Sequence, residues 1–548
     1  MAGQPFERLS YDREYDQGLS YLYNLQKFGI KFGLSKTENL LKVFNNPQES
    51  LRLIHIAGSN GKGSVAAMLS SVYSQAGYKV GLFTSPHLID FRERFQINGR
   101  LIEKDQTLAL IKEIKEKTDL EEPPTFFEFV TAMALLYFYR EKVDLAIMET
   151  GLGGRLDATN IIHPLITVIT TITLEHQEYL GKTLKKIALE KAGIIKPHIP
   201  LVTGVNQKKV QVILEDICRE KQVLMLLVGR DFRTRKLKNG TFSYFGFRSS
   251  EFGVGEQFGV GEKGPFVVRR SSFVEGSKVT LGTEKNFPNM EFGILNHNGK
   301  SSKAERPTLN GFLNPQSAIR NPKFPGDLVL TAPNSELKTP NFPPSPVTRH
   351  PSLRVGLLGD HQIRNAGLAL TVIDYLKARF PIQEEAVREG LARVTWPGRL
   401  EVLSERPWIV LDGAHNPGAM KTLSRTLSRV FSYKRLLLII GMMKDKAIEQ
   451  TFNYIIPKAD IVYLSRAEYD RSSEPETLLP LVKVKNLPCH LAQSIPLAIN
   501  QARKEAEPED LILITGSLFL VGEARAWWER ERCKMQDSRF KVRSPRAS

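Results

Sequence analysis

Ten consecutive residues, His55-Ile-Ala-Gly-Ser-Asn-Gly-Lys-Gly-Ser64, lie between an apolar run at 51–56 and an amphipathic stretch at 65–76. Glycines at 58, 61 and 63 allow close approach of backbone to a ligand. The start of a helix offers unpaired N–H groups, and Lys62 supplies a positive charge against phosphate. The chemistry implied is the cradling of a polyphosphate, and so a reaction driven by ATP. The spacing departs from the common G-x-x-x-x-G-K-[ST] pattern, because only two residues separate Gly58 from Gly61 and Gly63 stands between Lys62 and Ser64. A glycine-rich turn also serves as a plain strand-to-helix connection, so the loop alone does not name a reaction.

Positioning such a loop requires a strand before it and a helix after it. The pattern predicts strands over 51–57, 79–84, 144–149, 165–170 and 200–203, with helices over 65–76, 105–118, 126–140 and 183–193. This βα alternation implies a predominantly parallel sheet covered by helices, an α/β fold of P-loop type. Ligands of such sheets gather at the carboxyl ends of the strands. The glycine loop, Thr84-Ser85, Glu149 and 170–176 all follow predicted strands and are expected to converge there. From 249 to 350 the periodicity gives way to Gly-, Pro-, Ser- and Asn-rich sequence with a near-repeat of Glu251-Phe-Gly-Val-Gly-Glu256, which reads as a disordered insertion. Helical sequence resumes over 362–376. A smaller α/β unit begins near Leu400, with strands over 408–411, 435–440, 461–464 and 511–515. The domains expected are therefore 1–398, interrupted by the insertion, then 399–523, and a basic solvated tail over 524–548.

With 548 residues and 41% hydrophobic content, the chain can bury substantial cores. Its greasiest segments, 436–443 and 511–521, are too short to span a bilayer, and the N-terminus has no apolar signal core, so a cytoplasmic protein is expected. Cys218, Cys489 and Cys533 form neither a metal pattern nor a disulfide framework. A formal charge of +17 suits nucleic acid and small anions alike and decides nothing. No nucleic-acid, membrane or protein partner is expected, and the protein is read as a monomer acting on small molecules.

Further motifs join the loop: Leu19-Ser-Tyr-Leu-Tyr-Asn-Leu, Thr84-Ser-Pro-His-Leu, Thr125-Phe-Phe-Glu, Glu149-Thr-Gly-Leu-Gly-Gly-Arg-Leu-Asp-Ala-Thr-Asn, Glu190-Lys-Ala-Gly-Ile, His361-Gln-Ile-Arg-Asn, Trp396-Pro-Gly-Arg, Asp412-Gly-Ala-His-Asn-Pro and Thr515-Gly-Ser-Leu. In this order the sequence resembles the folylpolyglutamate synthase and dihydrofolate synthase family of the Mur ligase superfamily, over roughly four-fifths of the chain. The resemblance implies ATP-dependent amide formation. A carboxylate takes the γ-phosphoryl group, and the amine of L-glutamate attacks the acyl phosphate. It implies that Asn60, Gly61, Lys62, Gly63 and Ser64 hold the phosphates, with Asn365, Arg399 and Asp412 on the nucleotide's other side. Ser85, Glu149 and His176 match magnesium positions. Lys191 matches a lysine that is carbamylated in the superfamily; without the resemblance it reads as a surface lysine. The pteroate pocket is assigned to Thr125, Phe126, Phe127 and Glu128 with Leu156, Asp157 and Ala158, and the loop Ile30-Lys-Phe is similar to a pteroate contact. His415, Lys446 and Ser517 are candidates for phosphate or glutamate contacts, with loop or helix-capping roles as the alternative, and His87 reads as a turn residue. Lys62, Lys191 and His415 are the expected catalytic residues. A carbamate role implies that Lys191→Ala abolishes ligation and leaves the fold intact.

Two positions depart from the family pattern. Glu175 stands before His176 where Asp is usual, and Ala447 follows Lys446 where an acid is common. The acceptor stays open between dihydropteroate and reduced folates, with a bifunctional enzyme as the leading reading. The alternatives are another Mur-type ligase, which needs a separate domain before the loop, and a nucleotide-binding scaffold without catalysis.

Overall fold

The computed structural model of the chain describes residues 5–29, 33–118, 122–238, 240–246 and 349–542, all within one compact unit. The expected insertion lies outside the described residues except for Arg349 and His350, and Ile30, Lys31 and Phe32 lie outside them altogether.

Eight strands make the first sheet: β1 (Leu53–Ala57), β2 (Val80–Phe83), β3 (Phe95–Ile97), β4 (Arg100–Leu101), β5 (Leu145–Glu149), β6 (Ile166–Ile169), β7 (Leu201–Thr203) and β8 (Met225–Leu227). Their order is β4-β3-β2-β5-β1-β6-β7-β8, parallel except at β2–β3 and β3–β4. The central strands are buried on both faces because alternate side chains serve two cores. Ile54, Ile56, Leu145 and Ile147 pack beneath the helices Lys62–Gln75 and Asp360–Leu376. Leu53, Ala146 and Met148 pack against the helix Phe126–Arg140 on the opposite face.

That last helix is apolar almost all round and starts abruptly at a capping box. Thr125 Oγ1 accepts from Glu128 N at 3.4 Å, while Glu128 Oε2 accepts from Thr125 N at 2.7 Å. Thr125→Ala is expected to lower stability by about 1 kcal/mol, read as a shifted urea midpoint; an unshifted midpoint would count against the cap.

A three-stranded antiparallel sheet that the sequence pattern does not announce follows: β9 (Arg233–Lys236), β10 (Phe242–Phe245) and β11 (Arg349–Leu353). It corrects the expected limit of the insertion, since Arg349 and His350 pair with Phe245 and Tyr244.

The second sheet is β12 (Glu401–Glu405), β13 (Trp408–Asp412), β14 (Leu436–Ile440), β15 (Ile461–Leu464), β16 (Cys489–Leu491) and β17 (Leu511–Thr515), in the order β12-β13-β17-β14-β15-β16. Only β12 runs antiparallel to its neighbour. The expected tail from 524 is corrected here. The helix Leu518–Val542 carries Ala524, Trp527 and Trp528 into the core of this sheet, and Arg525 pairs with Glu401 at 2.9 Å. Two tryptophans outweigh the basic composition that suggested a solvated end. Among the described residues, no helix is long and apolar enough to cross a membrane.

Candidate active site between two lobes

The glycine loop leaves β1 between β5 and β6, with Ile56 level with Glu149 and Ala57 level with Ile169. Loop, Glu149 and 170–176 therefore emerge side by side at the carboxyl edge. A Cβ on Gly58, whose φ is +148°, would lie 1.9 Å from Thr170 Oγ1. Thr170 and Thr171 hold the loop through Asn60: both hydroxyls donate to its carbonyl, at 2.8 and 3.0 Å. Gly61, with φ +88°, has Asn365 Oδ1 where a Cβ would come within 2.8 Å, so Asn365 meets the loop across more than 300 residues of sequence. Lys62 Nζ donates to Gly58 O at 3.1 Å and stands 3.8 Å from Glu149 Oε1. Ser64 is buried at the start of the helix.

Glu149 is buried, which pushes its carboxyl up from the usual range, against the pull of Lys62, the Ser85 N–H and Arg399. Among the described residues its one hydrogen bond, from Ser85 N, is long at 3.4 Å. An under-satisfied buried carboxylate in contact with the Ser85 backbone suits a hard divalent cation.

Lys191 corrects the surface reading: it is 2% exposed and its Nζ lies 2.7 Å from Glu175 Oε1. Burial lowers the Lys191 pKa, with Glu175 opposing. Burial would raise the Glu175 carboxyl, but Lys191, Lys62 and His176 outweigh it and hold it at about 2. The extra methylene of Glu175 is thus spent on an ion pair with the lysine that follows sixteen residues later. His176, in the left-handed region at φ +44°, begins the short helix Gln177–Leu180.

The second lobe brings its own loops to this edge. Asn416 Nδ2 donates to Asn60 Oδ1 at 3.0 Å while Asn416 Oδ1 caps the helix Pro417–Val430 through Ala419 N. His415 Nδ1 donates to Gly413 O at 2.8 Å, leaving Nε2 as the acceptor of the neutral ring. Burial, with Lys446 next in effect, pushes His415 and His176 down to about 4. Both rings are therefore expected to stay neutral from about pH 5.5 to about pH 8, and a histidine NMR titration that moves either in that window would contradict this. Lys446 itself pairs with Asp445 at 2.8 Å.

Several of the residues expected to contact ligand also hold the protein's own backbone. Asp412 accepts from Leu400 N at 3.0 Å and Ala414 N at 2.9 Å, so it clasps the strand that begins the second lobe, and Arg399 beside it tempers the upward push of burial. Asp157 accepts from Leu152 N and from Thr159 N and Oγ1, closing its own loop. Burial nonetheless pushes its carboxyl up. Thr125 and Glu128 serve the capping box, and Ser517 Oγ accepts from Phe519 N at 3.2 Å. Ala158 is buried and Leu156 half-buried. Phe127 lies where a Cβ on Gly151 would come within 2.5 Å, and Phe126 stacks on Tyr23 at 6.0 Å. Sequence reasoning missed the partner role of Glu175, the bridge of Asn416 and the placement of Arg94 beneath Phe126, none of which has a local pattern.

A cleft of about 630 Å³ opens from Ser85, Glu149 and Arg399 along the Lys62–Gln75 helix towards Arg393. Residues 56–216 match the Mur ligase middle domain and residues 398–518 the Mur ligase glutamate ligase domain. The dihydrofolate synthase/folylpolyglutamate synthase of Bacillus subtilis is 30% identical over 93% of this chain and 98% of its own. The chain belongs to the folylpolyglutamate synthase/dihydrofolate synthase family. A probable bifunctional folylpolyglutamate synthase/dihydropteroate synthase of Haloferax volcanii is 31% identical over 94% of this chain, which spans about half (51%) of that relative's length. The folylpolyglutamate synthase of Mycobacterium tuberculosis, solved with ADP, superposes with a TM-score of 0.71 at 25% identity over 94% of this chain and 99% of its own. The two-sheet architecture is thus that of the folylpolyglutamate synthase family, with the glycine loop in the middle-domain match and His415 and Ser517 in the glutamate ligase match.

Proposed function

We propose that the chain is an ATP-dependent ligase that joins L-glutamate to dihydropteroate and to the glutamyl chain of reduced folates, using Lys62, Lys191 and His415. The observation that carries this reading is the convergence of Lys62, Glu149 and the buried Lys191–Glu175 pair at one sheet edge, facing a loop of the second lobe tied to Asn60. The glycine loop holds the triphosphate, and Lys62 balances charge building on the transferred phosphoryl group. Asn365 and Arg399 approach the nucleotide from the far side. Neutral His415 presents Nε2 as an acceptor for a proton of the attacking ammonium or amine. The domains that do this are the lobe carrying the first sheet and the lobe from 399 onwards.

Glu149 and Ser85 would hold a magnesium ion, with His176 as a further ligand expected from the motif and Lys191 joining as its carbamate. A bound cation supplies neutralisation of phosphate charge. Burial, by disfavouring the ammonium form, favours the amine that reacts with CO2. Adding CO2 to the Lys191 amine releases a proton and would replace the ion pair with Glu175 by two facing anions, a charge that a bound cation would neutralise. The protein acts on small molecules, as a cytoplasmic monomer.

The test supplies purified protein with ATP, magnesium and glutamate, and compares dihydropteroate with tetrahydrofolate by ADP release. Glutamate-dependent turnover of both is expected. Turnover of one alone removes bifunctionality, and turnover of neither overturns the assignment.

A further inference from the structure

A second cleft, of about 520 Å³, opens between the helices Asp360–Leu376 and Pro417–Val430, and none of the residues placed on the nucleotide lines it. Its wall is basic. Arg364 comes from the first helix, Arg425 and Arg429 from the second, and Lys458 from the turn Ile456–Lys458. One carboxylate stands among them, Asp360, and it is already held by Lys236 at 2.7 Å and by Arg429 at 3.1 Å. Among the described residues, Arg364, Arg425 and Lys458 have no ion-pair partner. Four cations against one carboxylate leave the wall with three positive charges in excess. Arg425 and Arg429 stand four residues apart on one helix face, an arrangement that weakens a helix. A solvated basic face spreads its charges outwards, whereas these converge on a concavity from three elements of two lobes.

Arginine forks around a concavity have their complement in phosphate oxygens, and the hydroxyls of Ser424 and Ser428 add donors to the same wall. A diphosphate group brings about three negative charges in a compact volume, which matches the excess; a single phosphate does not. We propose that this cleft binds a small molecule carrying a diphosphate group, at a site separate from the glycine loop, and that its occupancy tightens the nucleotide there. Both walls reach that loop. Asn365, next to Arg364, lies against Gly61, and Asn416, which caps the second helix, donates to Asn60. An anion drawing the two helices together therefore favours the arrangement that grips the nucleotide, and by linkage the nucleotide favours the anion. The coupling rests on the functional reading above, whereas the site stands on its own lining.

The experiment titrates pyrophosphate, and methyl diphosphate in a second arm, into the full chain saturated with ADP, read by calorimetry. It compares the wild type with Arg364→Gln/Arg425→Gln and with a control pair, Arg530→Gln/Arg532→Gln, on the helix that packs on the opposite face of the second sheet. All four arginines are exposed, so both pairs should fold as the wild type does. One site is expected, weakened about tenfold to a hundredfold in the first pair and changed by no more than about twofold in the control. Tighter binding of the ester points to an esterified ligand and tighter binding of pyrophosphate to a free one, and either upholds the site. Pyrophosphate should raise ADP affinity about fivefold in the wild type and not in the Arg364/Arg425 pair. No binding to the ADP-loaded wild type, one-for-one displacement of ADP, or equal weakening in the control overturns the site, and an unchanged ADP affinity overturns the coupling. A wild type that binds no ADP defeats the functional reading and the coupling with it, while pyrophosphate binding that depends on Arg364 and Arg425 still upholds the site.

Discussion

Lys62→Met is expected to lower kcat for glutamate-dependent ADP release by about 10²- to 10³-fold, roughly 3–4 kcal/mol of transition-state stabilisation. Its ammonium is the loop's own charge, fixed by Gly58 O at 3.1 Å and lying between the phosphate cradle and Glu149. The interaction grows as charge develops on the transferred group, so the loss falls on kcat more than on the KM for ATP. Removing it also leaves the buried Glu149 without its nearest cation, and magnesium affinity should change along with the rate. A variant with wild-type kcat would show that the loop binds nucleotide without taking part in the chemistry.

The second large effect is at Lys191, and the structure alters what the sequence suggested. Lys191→Ala is expected to abolish ligation, but it also orphans Glu175 inside the protein. Breaking a buried pair by deleting one partner costs roughly 3–5 kcal/mol, so the fold does not escape unharmed. The double variant Lys191→Ala/Glu175→Gln removes the uncompensated charge and should recover most of that stability while remaining inactive, with partial rescue by short carboxylic acids if a carbamate is the active form. Thermal melting reads the first effect and ADP release the second. Full activity in either variant refutes a carbamate role.

The same pair sets a pH dependence. Glu175 is depressed to about 2 from an ordinary value of about 4.3, so its contribution to stability is complete above the ordinary value and is lost as pH falls through about 2. The wild type should therefore lose more stability over that acid window than a Glu175→Gln variant does. Parallel acid titrations of the two proteins would contradict the pairing.

Legibility differed between elements for reasons that can be named. The strands of the first sheet are readable because a parallel strand buried on both faces is a short continuous apolar run, as in 51–57 and 144–149, and the predicted limits miss β1 and β5 by two residues or fewer. The helix Phe126–Arg140 is readable to the residue, since the capping box at Thr125 is a local pattern. Strands β9 to β11 are not, because two of them are separated by a long stretch of chain and pair only in space. The end of the chain misled for a different reason: charge dominates its composition, whereas Trp527 and Trp528 dominate its burial.

At the site, the sequence by itself determined a phosphate-binding loop, a motif short enough to be read locally, and the ordered motifs that carry the family resemblance implied the reaction class. It named Lys62, Glu149, Lys191 and His415, and those positions do converge on one edge of the first sheet and the loop that faces it. Only the tertiary structure decided what each of them touches. Lys191 is sealed against Glu175, Asp412 and Asp157 accept from backbone N–H groups, Asn365 closes over Gly61, and Arg94 lies against Phe126 and donates to His87. Hydrogen bonds and ion pairs act over about 3–4 Å, a distance that chain connectivity does not encode once partners are separated by more than a few turns. Residue type fixes what a group is able to do, and packing fixes whether a neighbour has already claimed it.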